Sequence, residues 1–519
     1  VRRTIGILKR GTGGLVLVAL AAVLLPSPAR ADVGRIREKA LELEQKLNRN
    51  RYDVEIRGEK PNRARIYKDF DFILDASKVD EVAAAKTDPQ AGRLRLYLIQ
   101  SIVESELAPF TDELRTFEQT NTADLGGKKL HYGDLLQRLA KTPDDGERRK
   151  LANLMDPLIE TAAVFRLDIL RRQNEQYQKW GFANYADFYA QREGLDLDAL
   201  DAQAAEFLTT SQALYDSLFT TAAAKYLGTE PRKVKFYDLP YLTGGAMYSD
   251  AFPAANASRR LRGLFKGLGV DLGAESNLDL DEEARPGRTV GPVCVPVLVP
   301  NEIRTGLVPI GAFRDTRYRA YLTGEAQIYS LSTQTAFEPA YLVNQAAQSA
   351  LAWIPRLVLD EQGWIRDNSQ NLALEEFLTY RAFTGLFEVR FLAAMTRFEI
   401  AAYRGSQDPD KDFRNLARDA TGVRIAASEA HRSLEFLTQL RGASRFQGLL
   451  AASALRHHLR ETMGPEWYKN GQAGALLTGF WEQGGALTVD AILSACGGSV
   501  ATPESHFQTI EAMLADAAR

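Results

Sequence analysis

A chain of 519 residues, 45% hydrophobic and 25% charged, is long enough to bury a large core and has the composition of an ordinary globular protein. A net charge of -3 supplies no basic field to offset phosphates, which excludes a nucleic-acid partner. Two cysteines, Cys294 and Cys496, are too few for a disulfide framework and are expected as buried thiols.

In chain order, residues 1–31 read as a signal peptide. Arg2, Arg3, Lys9 and Arg10 precede an apolar stretch from Gly14 to Leu25; Pro26 and Pro28 end it, and Ala29-Arg30-Ala31 is a small-x-small cleavage site before Asp32. The apolar run is shorter than the ~20 residues of a membrane span. The expectation is export by a Sec or twin-arginine route, secreted or periplasmic in a bacterium, with no stable transmembrane anchor.

Helical periodicity dominates from Asp32 onward. Ile36, Ala40, Leu43 and Leu47 form one stripe; Leu94, Leu98 and Ile102 form another, which Pro109 is expected to end. Asp196 is placed to cap a helix beginning at Leu197. Gly273 to Thr289, acidic and turn-rich, reads as an exposed loop. From Pro292 to Ile310 the alternation of Val293, Val295, Val297 and Val299 predicts a short sheet. Leu374, Phe377, Leu378, Phe387, Phe391, Met395 and Phe398 return to helical steps. With no repeat, low-complexity tract or linker, residues 32–519 are expected to form one mainly α body, divisible at most into two lobes.

Chemical motifs are scarce. Histidine occurs at positions 131, 431, 457, 458 and 506 and in no HExxH; GxSxG, P-loop and GxGxxG patterns are missing too. His457 and His458 are neighbours, and neighbours on a helix point about 100° apart, so they cannot chelate one ion through one face.

Several segments, in order, resemble the thimet oligopeptidase and oligoendopeptidase F group of zinc peptidases, with angiotensin-converting enzyme as a distant cousin. They are Trp180 to Tyr189, Asp250 to Pro253, Leu264 to Leu272, Cys294 to Val297 with Val299 to Ile303, and Ala454 to Arg456 through Met463 to Tyr468, with Phe480-Trp481. The resemblance implies a two-lobed, helical zincin-like fold with a small β-sheet near residues 292–310 and a central channel. It also places Tyr321-Leu322-Thr323-Gly324-Glu325 where active relatives carry HExxH. Tyr321 and Glu325 then replace two zinc-binding histidines, and Leu322 replaces the glutamate that activates water. The third ligand, a glutamate, falls at Gln348, and Val343 to Leu359 contains no acid. Ser444 to Gly448 lacks the tyrosines that would stabilise an oxyanion.

No zinc or other cofactor is therefore expected, and the reading is a non-catalytic relative that binds peptides or partners an active peptidase paralogue. Two alternatives stay open: new chemistry in the remodelled channel using Glu325 or Tyr321, or a purely structural envelope protein. Tyr321, Glu325 and Gln348 are expected to share a hydrogen-bonded cluster, with Arg317 or Arg319 as the nearby cation for Glu325.

Overall fold

The structure is a computed structural model that describes residues 28–289, 291–426, 436–498 and 501–517. The expected signal peptide lies outside the described residues up to Ser27, as does His431. No helix among the described residues is long and apolar enough to cross a membrane.

The chain is mainly helical. Helix α1, Pro28–Glu55, buries Ile36, Ala40 and Leu43 completely. Helix α2, Ala91–Thr120, buries Leu94, Leu98 and Val103 and runs straight through Pro109, contrary to expectation. Proline removes one amide donor and crowds the carbonyl four residues earlier. Here its ring is on the solvent face, where that carbonyl can turn to water, while the opposite face packs a long apolar stripe. Helix α3, Asp145–Lys179, tolerates Pro157 likewise. Helix α4, Leu197–Thr210, starts as expected: the Asp196 carboxylate accepts from the amides of Asp198 (3.1 Å) and Ala199 (2.9 Å).

Strands β1 (Ala123–Leu125) and β2 (Lys128–Leu130) make a small hairpin. The sheet predicted around residue 300 consists of β4 (Val293–Leu298) antiparallel to β5 (Glu302–Gly306). A further strand, β3 (Leu278–Asp281), pairs in parallel with β5, so the segment expected as an exposed loop contributes an edge. Its Leu278-Asp-Leu280-Asp alternation is a strand pattern that the surrounding acids and turn residues mask. On β4, Val293, Val295 and Val297 pack on Ile56, and the other face carries Cys294 and Pro296. Both cysteines are buried; the Cys496 thiol donates to the Ile492 carbonyl at 3.3 Å.

The centre is built by helices α5 (Phe313–Ser330), α6 (Gln345–Val358), α7 (Leu374–Tyr403) and α8 (Arg441–Met463). Helix α6 presents Ala346, Ala347, Ser349, Ala350 and Ala352, all buried, so its neighbours approach closely. On α5, a Cβ at Gly324 would meet the Leu351 carbonyl oxygen at 3.0 Å; on α8, one at Gly448 would meet Ser349 Cβ at 2.6 Å. These glycines set the spacing of the helices that carry the site. The largest core cluster takes in residues from Val33 to Ala517.

Candidate functional site

Three walls of the central cavity, α5, α6 and α8, are each anchored by a carboxylate at the helix start. Asp315 accepts from the amides of Ile310 (3.1 Å), Gly311 (2.6 Å) and Ala312 (3.3 Å), fixing the entry to α5. Asn344 caps α6 through the Ala347 amide at 2.9 Å, and Glu193 accepts from the Gln345 amide at 2.8 Å. At α8, Glu399 accepts from the amides of Thr438, Leu440 (3.2 Å) and Gly442 (3.1 Å) and from the Thr438 hydroxyl (2.9 Å). Amides otherwise orphaned at these turns are thereby satisfied.

Between these walls lies a cavity of about 510 Å³, lined by α1, β4, α5, α6 and α8, a volume suited to a small ligand or a stretch of peptide. Tyr321 and Glu325, four residues apart on α5, both line it, as does Gln348 from α6. Leu322 points away into the core and is fully buried.

The polar side chains share this space but do not form the direct cluster expected. The Tyr321 hydroxyl pairs with the Ser349 hydroxyl at 3.1 Å, and its ring meets Trp353 edge-on at 5.4 Å. Gln348 bears on the Tyr329 hydroxyl, opposing the upward push of burial on that phenol, and not on Glu325. Glu325 receives no hydrogen bond among the described residues. Arg317 and Arg319 are committed elsewhere: Arg317 to Glu388 at 2.8 Å, and Arg319 to Glu282. Arg317 is on the same row as Tyr321 but two turns before Glu325, and Arg319 is on another face of α5. The cations that act on Glu325 are Arg445, Arg51 and Arg441. Burial pushes its carboxyl above the ordinary range, and those three arginines draw it partly back. Burial likewise raises Tyr321, with Arg445 opposing.

Sequence reasoning missed Arg51, Arg441, Arg445, Tyr329 and Ser349. A signal existed for two of them: Arg441 and Arg445 stand four apart on a helix among Gly442, Ala443 and Ser444, otherwise a buried face.

The residues do not fit zinc. Among the described residues, no three His, Cys, Asp or Glu side chains converge to hold a metal. Tyr321, Glu325 and Gln348 offer one carboxylate, and three nearby guanidiniums would repel a dication. A second cavity, of about 620 Å³, lies between α2, α3 and residues 284–289 with Gly291. Its arginines are spent: Arg115 and Arg166 pair with Glu118, and Arg285 and Arg288 with Asp281.

Compared with solved structures, the chain matches an X-ray structure assigned as oligoendopeptidase F with a TM-score of 0.70. The match covers 94% of this chain and 91% of that one at 13% identity. The chain has the oligoendopeptidase F fold. A crystal structure of the same assignment from Bacillus anthracis gives a TM-score of 0.67 over 93% and 90% of the two chains at 12% identity. By sequence, no family model and no curated protein matches. The helical architecture expected from the resemblance is thus borne out.

Because Glu325 satisfies no donor, Glu325→Ala should alter unfolding free energy by less than about 1 kcal/mol in urea titrations. A loss of several kcal/mol would mean the carboxylate holds the helices together.

Proposed function

We propose that the protein is an exported, catalytically inactive relative of the zinc oligopeptidases that binds a peptide, or an extended segment of a protein partner, without cutting it. The observation that carries this reading is the pairing of a cavity of about 510 Å³ with a wall of Tyr321, Leu322, Glu325 and Gln348. On an oligoendopeptidase-like fold these stand where the sequence resemblance puts two imidazoles, a general base and a third ligand. Leu322 can neither take a proton nor orient water, and it is turned into the core. A binding role needs only the cavity and its polar lining. An active peptidase paralogue is a partner of the same class, since it could present such a segment.

Purified protein should contain well under one zinc per chain by elemental analysis and should leave unstructured oligopeptides intact. Stoichiometric zinc with chelator-sensitive cleavage would overturn the reading.

A second reading, non-zinc chemistry, draws on one observation: a carboxyl raised by burial in a cavity is a general-base candidate. It lacks a hydrogen-bonded partner to act with. A hydrolase or lyase activity abolished by Glu325→Gln would establish it. A filled, purely structural channel is disfavoured by the cavity itself.

Export predicts a mature chain that starts at Asp32. N-terminal sequencing of protein recovered from a periplasmic or culture-medium fraction checks this, and an N-terminus upstream of Ala31 would contradict it.

A further inference from the structure

The cavity's charges divide into spent and unspent. Five arginines line it: Arg51, Arg93, Arg192, Arg441 and Arg445. Arg93 is taken by the carbonyls of Glu338 and Leu342, and Arg192 by Glu193 and the Gln100 amide oxygen. Of the carboxylates, Glu193 is occupied by Arg192 and the start of α6, and Glu44 accepts from Asn48 at 3.1 Å. That leaves Arg51, Arg441 and Arg445, none with a hydrogen bond or ion pair among the described residues; all three act on Glu325, while Glu44 also acts on Arg51 and Glu399 on Arg445.

Arg441 and Arg445 lie four apart on the first turns of α8, and Arg51 reaches the same space from α1. The side chains of Arg441 and Arg445 are exposed to the cavity. Their charges are close enough that Arg51 and Arg445 help to hold Arg441 below its ordinary value, after burial. The α8 amides cannot serve an incoming anion, since Leu440 and Gly442 already donate to Glu399. Free donors in this region are therefore guanidiniums, whose rigid forks match a carboxylate and stay charged at any working pH.

We propose that Arg51, Arg441 and Arg445 form a clamp for a carboxylate of the bound peptide. This rests on the peptide-binding reading above and names the group the cavity would select. A free C-terminus and an aspartate or glutamate side chain supply the same chemistry, and probes can separate them.

The test is calorimetric titration of the mature protein with three hexapeptides, two of neutral side chains throughout and the third neutral but for one residue. One has a free C-terminus, one is amidated, and one is amidated with a single internal glutamate. Glutarate, a free dicarboxylate, is titrated separately. The free-acid peptide should bind roughly tenfold or more tightly than the neutral amide, and Arg441→Ala/Arg445→Ala should erase that difference. Glu325→Gln removes the competing anion and should strengthen carboxylate binding, a gain that misfolding cannot produce. Recovery of affinity by the glutamate-bearing amide identifies a side-chain carboxylate as the source; failure to recover identifies the C-terminus. Peptides bound equally with and without a carboxylate would overturn the clamp and spare peptide binding. Glutarate binding that depends on Arg441 and Arg445, without any peptide binding, would uphold the clamp and sink the peptide reading. No binding of any probe would sink both.

Discussion

Gly448→Val should destabilise the protein by about 3 kcal/mol or more and abolish ligand binding in the central cavity. A Cβ at this position would stand 2.6 Å from Ser349 Cβ, 2.7 Å from the Ala346 carbonyl oxygen and 2.8 Å from the Ala350 amide nitrogen. Two of the three obstacles are backbone of α6, so no rotamer relieves them. Helix α8 would have to back away from α6 at the crossing where both carry cavity residues. Ser349, which holds the Tyr321 hydroxyl, and Arg445, one turn before Gly448, would shift with it. Gly479, in the helix Gly471–Trp481, has nothing within 4 Å of its would-be Cβ. Gly479→Ala should therefore cost nothing and serves as the control for glycine replacement as such. Equal melting temperatures for wild type and Gly448→Val would show that α6 and α8 are not locked at this distance.

Removing Glu399 should have an effect of similar size, and one that depends on pH. Its carboxyl is completely buried in α7, yet it takes hydrogen bonds from three amides and a hydroxyl at the start of α8. Burial is the dominant influence and pushes its pKa up from 4.5 to about 7, against the pull of those donors. A carboxyl whose folded pKa is raised binds a proton more tightly folded than unfolded. It therefore contributes stability that is fully present below about pH 4.5 and is lost as pH rises through 7. The swing is on the order of 3 kcal/mol. Unfolding free energies measured in denaturant between pH 4.5 and 8 should fall for the wild type relative to Glu399→Gln, which carries no titrating group. Parallel pH curves for the two proteins would contradict this assignment. Glu399→Ala should be worse than Glu399→Gln at every pH, because it leaves Leu440 and Gly442 with buried, unanswered amides.

Much of the fold was legible because local signals and tertiary packing agree. The Ile36, Ala40 and Leu43 stripe, the Asp196 cap and the valine alternation at β4 each follow from the period of one element. Where packing overrides local preference, sequence reading fails. Pro109 sits on a solvent face of a helix whose other face is buried from Leu94 to Leu107, so the proline costs less than breaking the helix would. Strand β3 gains its partner only when β5, more than twenty residues later, folds beside it.

The site divides the same way. Placing Tyr321 and Glu325 on one wall needs only helical periodicity. Their partners cannot be reached so: Ser349, Arg445 and Arg51 come from three other helices, and which arginine faces Glu325 depends on how α1 and α8 close over α5. Arg317 and Arg319 are nearer in sequence but point towards Glu388 and Glu282.

The central claim, binding without cleavage, is tested most directly in a single vessel. The mature protein is saturated with a neutral free-acid hexapeptide by calorimetric titration, incubated, and the peptide is recovered and weighed by mass spectrometry. Saturable binding with the peptide returned intact, and no change on adding a chelator, is the result expected of a cavity walled by Tyr321, Leu322, Glu325 and Gln348. Fragments that accumulate with time and vanish when zinc is chelated would contradict it.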